Sequence, residues 1–130
     1  MSIPMHYEFY MDVLLSLADG NPHQLSEIRD FVAKRKNISD ADRALLFESS
    51  KNIRGTIFDY RVNWTRSYLK AAGLIVYPKR AVTQITDEGK KVLAENPPTI
   101  DTAYLSRYET FQTFVGRKTK DDSAESAEKV

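Results

Sequence analysis

Apolar residues near the start of the chain recur every three or four positions: Tyr7, then Tyr10 with Met11, then Leu14, then Leu17 with Ala18. That spacing is the period of one helical face, and it predicts a first helix over residues 5–18, closed by the turn residues Asp19-Gly20-Asn21-Pro22. His23-Gln24-Leu25 is long enough only for a short β-bridge. Ser26 then reads as the cap of a second helix from Glu27 to Lys36. In it Ile28, Phe31 and Val32 face inward, and Lys34, Arg35 and Lys36 meet the negative end of the helix dipole. Ser39-Asp40 opens another short helix with Ala44, Leu45 and Phe47 apolar, and Ser49-Ser50-Lys51-Asn52 breaks it.

A long helix follows, from Phe58 to Ala72, stopped by Gly73. Projected at 100° per residue, Phe58, Val62, Thr65, Leu69 and Ala72 form its buried stripe, with Trp64 and Tyr68 at the edge. The opposite face carries Tyr60, Asn63, Arg66, Ser67 and Lys70, with no acid except Asp59 at its margin. Arg61 projects beside the stripe, where an ion pair or packing over Trp64 is its expected role. Two β-branched runs, Leu74–Tyr77 and Val82–Ile85, flank a tip of Tyr77-Pro78-Lys79-Arg80-Ala81, so Lys79 and Arg80 stand on an exposed turn. Thr86 caps a helix from Asp87 to Glu95, which Asn96-Pro97-Pro98 ends. A last helix is expected over 101–115 with an aromatic face of Tyr104, Leu105, Tyr108, Phe111 and Phe114, and residues 117–130 read as a disordered tail or linker.

The whole is a mainly α chain with a small β-hairpin, an α+β domain over residues 1–116. One hundred and thirty residues support one such domain. There is no cysteine, so disulfides and thiolate metal sites are excluded, and two histidines 17 residues apart make no zinc site. No signal-like or membrane-length apolar run is present, which points to a cytoplasmic protein without a membrane partner.

Charge changes the picture more than composition does. Residues 51–91 hold nine Lys or Arg against three acids, so the net +1 of the chain conceals a basic centre in an acidic frame. Concentrated positive charge beside a polar helix face is the footprint of a phosphate-binding surface. The expected partner is therefore duplex DNA, reached by Tyr60, Asn63, Arg66, Ser67 and Lys70 in the major groove, with Lys79, Arg80 and Lys51 on phosphates. In that arrangement Asn63 can pair bidentately with adenine and Arg66 can read guanine. The competing reading is a protein-interaction domain that dimerises through its aromatic last helix, and a third is a stand-alone transcriptional regulator.

Catalytic chemistry is not expected, and neither is a cofactor or a metal. Glu88-Gly89-Lys90 spells Glu-x-Lys, but metal-dependent nucleases need that triplet on a strand beside a further acid, and here it opens a helix.

Phe58-Asp59-x-Arg61-Val62-x-Trp64, Leu69-x-x-Ala72-Gly73-Leu74-Ile75, Pro78-x-Arg80-Ala81 and Ile85-Thr86-x-x-Gly89 together resemble the N-terminal winged-helix domain of Mrr-type restriction endonucleases. The Asp19-Gly20 turn before His23, Ser50-Lys51, and Ile100-Asp101 extend the resemblance to about residues 4–116. It implies a winged helix-turn-helix, with an extra helix between helices two and three and a C-terminal helix. It also implies a targeting role, placing a separate nuclease domain beyond a linker on foreign DNA that is typically methylated. One position departs from the pattern: Ala81 stands where many relatives carry glycine after the wing arginine.

Overall fold

A computed structural model describes residues 3–46 and 55–120. Its first helical stretch is split in two, a 3-10 turn over His6–Glu8 and helix α1 over Tyr10–Ser16. The expected single helix over 5–18 gives way at Phe9, because Phe9 and Tyr10 are adjacent and both fully buried. One regular helix turns neighbouring side chains 100° apart. The change of winding brings both inward, and Phe9 meets the edge of Phe58 at 5.7 Å.

Strand β1, His23–Gln24, leads directly into α2, Leu25–Arg35. The cap is Gln24 and not Ser26: Gln24 is extended, and its amide donates to Glu27 Oε1 at 3.0 Å. Ile28 and Val32 are buried as expected, but Phe31 is 40% exposed and Ala33 takes its place. The reason is that α2 packs on α1 with its face turned past Val32 toward the smaller residue, leaving Phe31 at the rim. Arg35 and Lys36 do more than face a dipole, since both reach Asp12 of α1, a carboxylate that is 2% exposed. A buried carboxylate is tolerable only when paired in this way.

Ser39 caps α3, Asp40–Arg43, by accepting from Asp42 N at 3.1 Å. Leu46 bridges to Thr56 just before α4. Phe47 and the breaker Ser49-Ser50-Lys51-Asn52 lie outside the described residues.

Helix α4 runs Ile57–Ala71, capped by Thr56, whose hydroxyl accepts from Asp59 N at 3.1 Å. The whole predicted stripe, Phe58, Val62, Thr65, Leu69 and Ala72, is buried. Trp64 lies at the edge, stacked on His6 with ring centroids 4.4 Å apart and planes 2° from parallel. Arg61 holds the N-terminal segment, donating to Ile3 O at 2.7 Å, a backbone contact where an ion pair or Trp64 was expected. Burial, and to a smaller extent the nearby Arg61, lowers the His6 pKa to about 4.

Strands β2, Ile75–Lys79, and β3, Val82–Ile85, form an antiparallel hairpin, and β1 pairs on the other side of β3 to give the order β1-β3-β2. A bulge between Val76 and Lys79 absorbs Tyr77-Pro78 on the sheet edge, where the missing N–H of proline costs no ladder bond. Lys79 is opposite Val82, so the turn is two residues, Arg80-Ala81, tighter than the five-residue tip read from the sequence. Helix α5, Asp87–Glu95, is capped by Thr86 and packs so closely that Gly89 faces the carbonyl of Leu74.

The expected last helix is also two, α6 over Thr102–Leu105 and α7 over Glu109–Lys120. The bend lets Leu105 and Phe111 both bury while Tyr108 Oη donates to Glu88 at 2.9 Å and Phe111 and Phe114 reach the ring of Tyr68. Helix α7 thus continues past the residue-116 boundary, and residues 121–130 lie outside the described residues. The order α1, β1, α2, α4, β2, wing, β3 is that of a winged helix-turn-helix in an α+β domain, with α3 inserted between its second and third main helices. No helix among the described residues is long and apolar enough to cross a membrane.

Candidate nucleic-acid interface

The outer face of α4 does not remain a single open stripe. At its C-terminal half it is roofed by β2 and α7: Ser67, Lys70, Ala71, Tyr77 and Phe114 line one hollow of about 210 Å³. Lys70 Nζ stands 5.3 Å from the centroid of Tyr77, and Lys70 itself stays exposed. The Tyr77 pKa is raised chiefly by burial, while Arg66 and a hydrogen bond with the Ser67 side chain oppose the rise.

Arg66 departs furthest from its expected place. It is only 8% exposed, its Nε donates to Thr83 Oγ1 at 3.0 Å, and its guanidinium lies 4.5 Å over the ring of Tyr77. The projection put it on the outer face, but the hairpin folds back against that flank of α4 and covers it. Burial is the main cause that lowers its pKa, and the like charge of Arg29 lowers it further. Among the described residues no carboxylate pairs with it.

The N-terminal half of α4 meets α2 instead. Arg29 of α2 lies between Asp59 and Asn63: its Nε is 3.5 Å from Asp59 Oδ1, and its Nη2 donates to Asn63 Oδ1 at 3.3 Å. Asn63 and Tyr60 are half-buried, and Tyr60 meets the edge of Trp64 at 5.8 Å.

Arg29 also lines a groove of about 460 Å³ between the start of α2 and the wing, together with Gln24, Leu25, Ser26, Lys79, Arg80, Ala81 and Val82. Three of these eight side chains are cations and none is an acid; Arg29 is paired with Asp59 outside the lining, so the uncompensated positive charge is that of Lys79 and Arg80. Lys79 and Arg80 are exposed, as their place on the turn implied. The wing is held in position by its own backbone: Leu25 N, at the first turn of α2, donates to Ala81 O at 2.9 Å. Ala81 pays for that placement with φ of +61°, the left-handed region that an alanine adopts only under constraint.

Of the eight residues proposed from sequence, the structure therefore gathers Lys79 and Arg80 in one groove and joins Asn63 to it through Arg29. Ser67 and Lys70 belong to the Tyr77 hollow, Arg66 is buried beneath the hairpin, Tyr60 packs by Trp64, and Lys51 is outside the described residues. Arg29 was missed. Its only sequence signal is its place next to inward Ile28, because the partner it meets depends on how α2 crosses α4.

Glu88-Gly89-Lys90 is helical in α5, with Glu88 accepting from Tyr108. Among the described residues no three His, Asp or Glu side chains cluster as metal ligands would.

A family model described as the Mrr N-terminal domain matches residues 6–95, a span that runs from the 3-10 turn through α5 and so contains both the α2–α4 pair and the wing. No curated protein and no solved structure matches the chain.

Proposed function

The chain belongs to the Mrr N-terminal domain family, which associates it with Mrr-type restriction systems, and from that membership we propose that it binds duplex DNA. In this reading it is the targeting module that places a nuclease on its site, on unmodified or methylated duplex, and the cutting chemistry belongs to another domain. The observation that carries the reading is the groove of Arg29, Lys79 and Arg80, three cations with no carboxylate in its lining, opening beside Asn63 on α4. Such a groove attracts a phosphate diester, and phosphate contacts fix the register at which a helix face meets base edges.

Binding to a phosphate backbone releases counterions, so affinity falls linearly with salt on a log–log scale. The direct test is a fluorescence-anisotropy titration on matched unmethylated and methylated duplexes at several salt concentrations. A slope of about −3 to −6 is expected for a handful of contacts. Lys79→Ala with Arg80→Ala should make the slope shallower by about 2 without altering the melting temperature. Absence of binding at low salt would overturn the proposal. The aromatic residues of α6 and α7 make contacts within the chain, with Tyr68, Glu88 and Glu95.

A further inference from the structure

We propose that Arg29 is a positioning residue that fixes which hydrogen-bonding group Asn63 offers to DNA, and thereby sets base preference at one position. The inference rests on the DNA-binding reading above and deepens it. An asparagine side chain has a carbonyl oxygen on one side and an amide NH₂ on the other, and free rotation lets it present either or both. Arginine has five donors and no acceptor. Its Nη2 lies 3.3 Å from the Asn63 side chain, so the group facing it must be the carbonyl, Oδ1. Turning the amide over would set two donors against each other.

Arg29 is itself held by an ion pair with Asp59. Asp59 Oδ1 is 3.5 Å from its Nε, and Asp59 is fixed one turn before Asn63 on α4, where its backbone amide is capped by Thr56. Acid, arginine and asparagine therefore form a chain along the α2–α4 contact, and its end is the Asn63 Nδ2 amide. That group takes no hydrogen bond among the described residues. Asn63 offers donors outward while its acceptor is turned to α2.

The consequence concerns the major-groove code. Bidentate pairing of asparagine with adenine needs both ends of the side chain, a donor for N7 and an acceptor for the N6 amine. Arg29 uses one of the two lone pairs of Oδ1 and turns that oxygen toward α2, so the donor end is the one that leads outward. Guanine presents two adjacent acceptors, N7 and O6, and thymine presents O4, so both suit an outward NH₂. Cytosine presents its N4 amine, a donor against a donor. The position read by Asn63 is therefore guanine or thymine in preference to adenine, whose N7 acceptor stands beside the N6 amine, a donor facing the outward NH₂.

The test is selection from a randomised duplex pool by the wild-type chain and by Asn63→Ala, Arg29→Met and Arg29→Lys, each checked for an intact melting transition. Asn63→Ala identifies the dependent position as the one whose base preference it relaxes. At that position the wild type should enrich guanine or thymine over cytosine by at least about fivefold, the low end of what one good base contact supplies. Arg29→Met removes the donors, frees the amide to turn, and should admit adenine there. Arg29→Lys, still a pure donor, should keep the wild-type preference. Adenine at that position in the wild type, or an unaltered preference in Arg29→Met, would overturn the role of Arg29 while leaving DNA binding intact. Binding with no position dependent on Asn63 would overturn it too. Failure of the wild type to enrich any duplex would remove the DNA-binding reading itself. If Arg29→Met does not fold, Arg29→Gln, whose side-chain amide can also accept from Asn63, is read in its place with the same expected and overturning results.

Discussion

Replacing Ala81 by glycine should stabilise the protein, although it deletes a methyl group and leaves every hydrogen bond in place. Ala81 has φ of +61°, and the left-handed region costs an L-residue roughly 1–2 kcal/mol through the approach of Cβ to the backbone oxygen. Glycine avoids that cost but gains freedom in the unfolded chain, which offsets roughly 0.4–1 kcal/mol. The balance is a gain of about 0.5–1 kcal/mol. What holds alanine in this conformation is the two-residue turn set by the Lys79–Val82 pairing, together with the Leu25 N to Ala81 O bond at 2.9 Å. Urea unfolding of the wild type and Ala81→Gly would show the gain as a midpoint raised by roughly 0.3–0.7 M, taking a slope of about 1.5 kcal/mol/M. Asn96→Gly is the control. Asn96 has φ of +51° at the end of α5, but asparagine tolerates that region, so its replacement should gain much less. A midpoint that falls in Ala81→Gly would mean that the wing is not held in this turn. The groove between α2 and Arg80 would then lose its fixed wall.

Two other perturbations probe the packing that carries the interface. Gly89→Ala would put a Cβ 2.3 Å from Leu74 O and 2.6 Å from Ile85 Cγ1, neither free to retreat, so thermal or urea unfolding should show a loss of at least about 2 kcal/mol; a fully stable variant would show that α5 does not sit against the hairpin as described. His6 gives a pH signature. Its pKa is lowered from 6.5 to about 4, so the unfolded chain takes up the proton first as the pH falls. Its contribution is complete above pH 6.5 and is lost as the pH drops toward 4. Because the ring is only about half-buried, solvent screening reduces the effect to roughly 1–2 kcal/mol. His6→Asn should flatten that stretch of the stability profile, and an unchanged slope would contradict the buried stack on Trp64. His23 acts in the opposite sense. Hydrogen bonds to Asp19, then Glu27, raise its pKa, so its contribution is present below 6.5 and is lost as the pH rises past the folded value.

What the sequence made legible was whatever depends on one element at a time. The stripe from Phe58 to Ala72, the caps at Thr86 and Ser39, and the hairpin between Gly73 and Thr86 all follow from local periodicity and backbone chemistry, and all are found. Where reading failed, two elements had to meet. Periodicity assigned Arg66 to the outside because α4 alone has an outside there, and only the fold-back of β2 and β3 places Tyr77 and Thr83 over it. The aromatic run from Tyr104 to Phe114 fits one helix by spacing, yet its residues reach Tyr68, Glu88 and Glu95 only after the chain bends at Ser106–Tyr108. Arg29 carried no pattern at all. Its value comes from the crossing of α2 over α4, which turns an ordinary helix cation into the link between Asn63 and the wing.

The two arginines also explain why residue type is a weak guide to a reading residue. An arginine on a helix face has the donors to read guanine, but it reads nothing while its guanidinium is stacked on Tyr77 and bonded to Thr83. Burying a cation without a carboxylate costs desolvation, and the lowered pKa of Arg66 expresses that cost. Tyr77 opposes that lowering and the like charge of Arg29, itself paired with Asp59, adds a smaller push in the same direction as burial. Arg66 thus belongs to the packing beneath the hairpin, and under the proposed DNA-binding reading the base contact expected of it passes to Asn63, which Arg29 contacts.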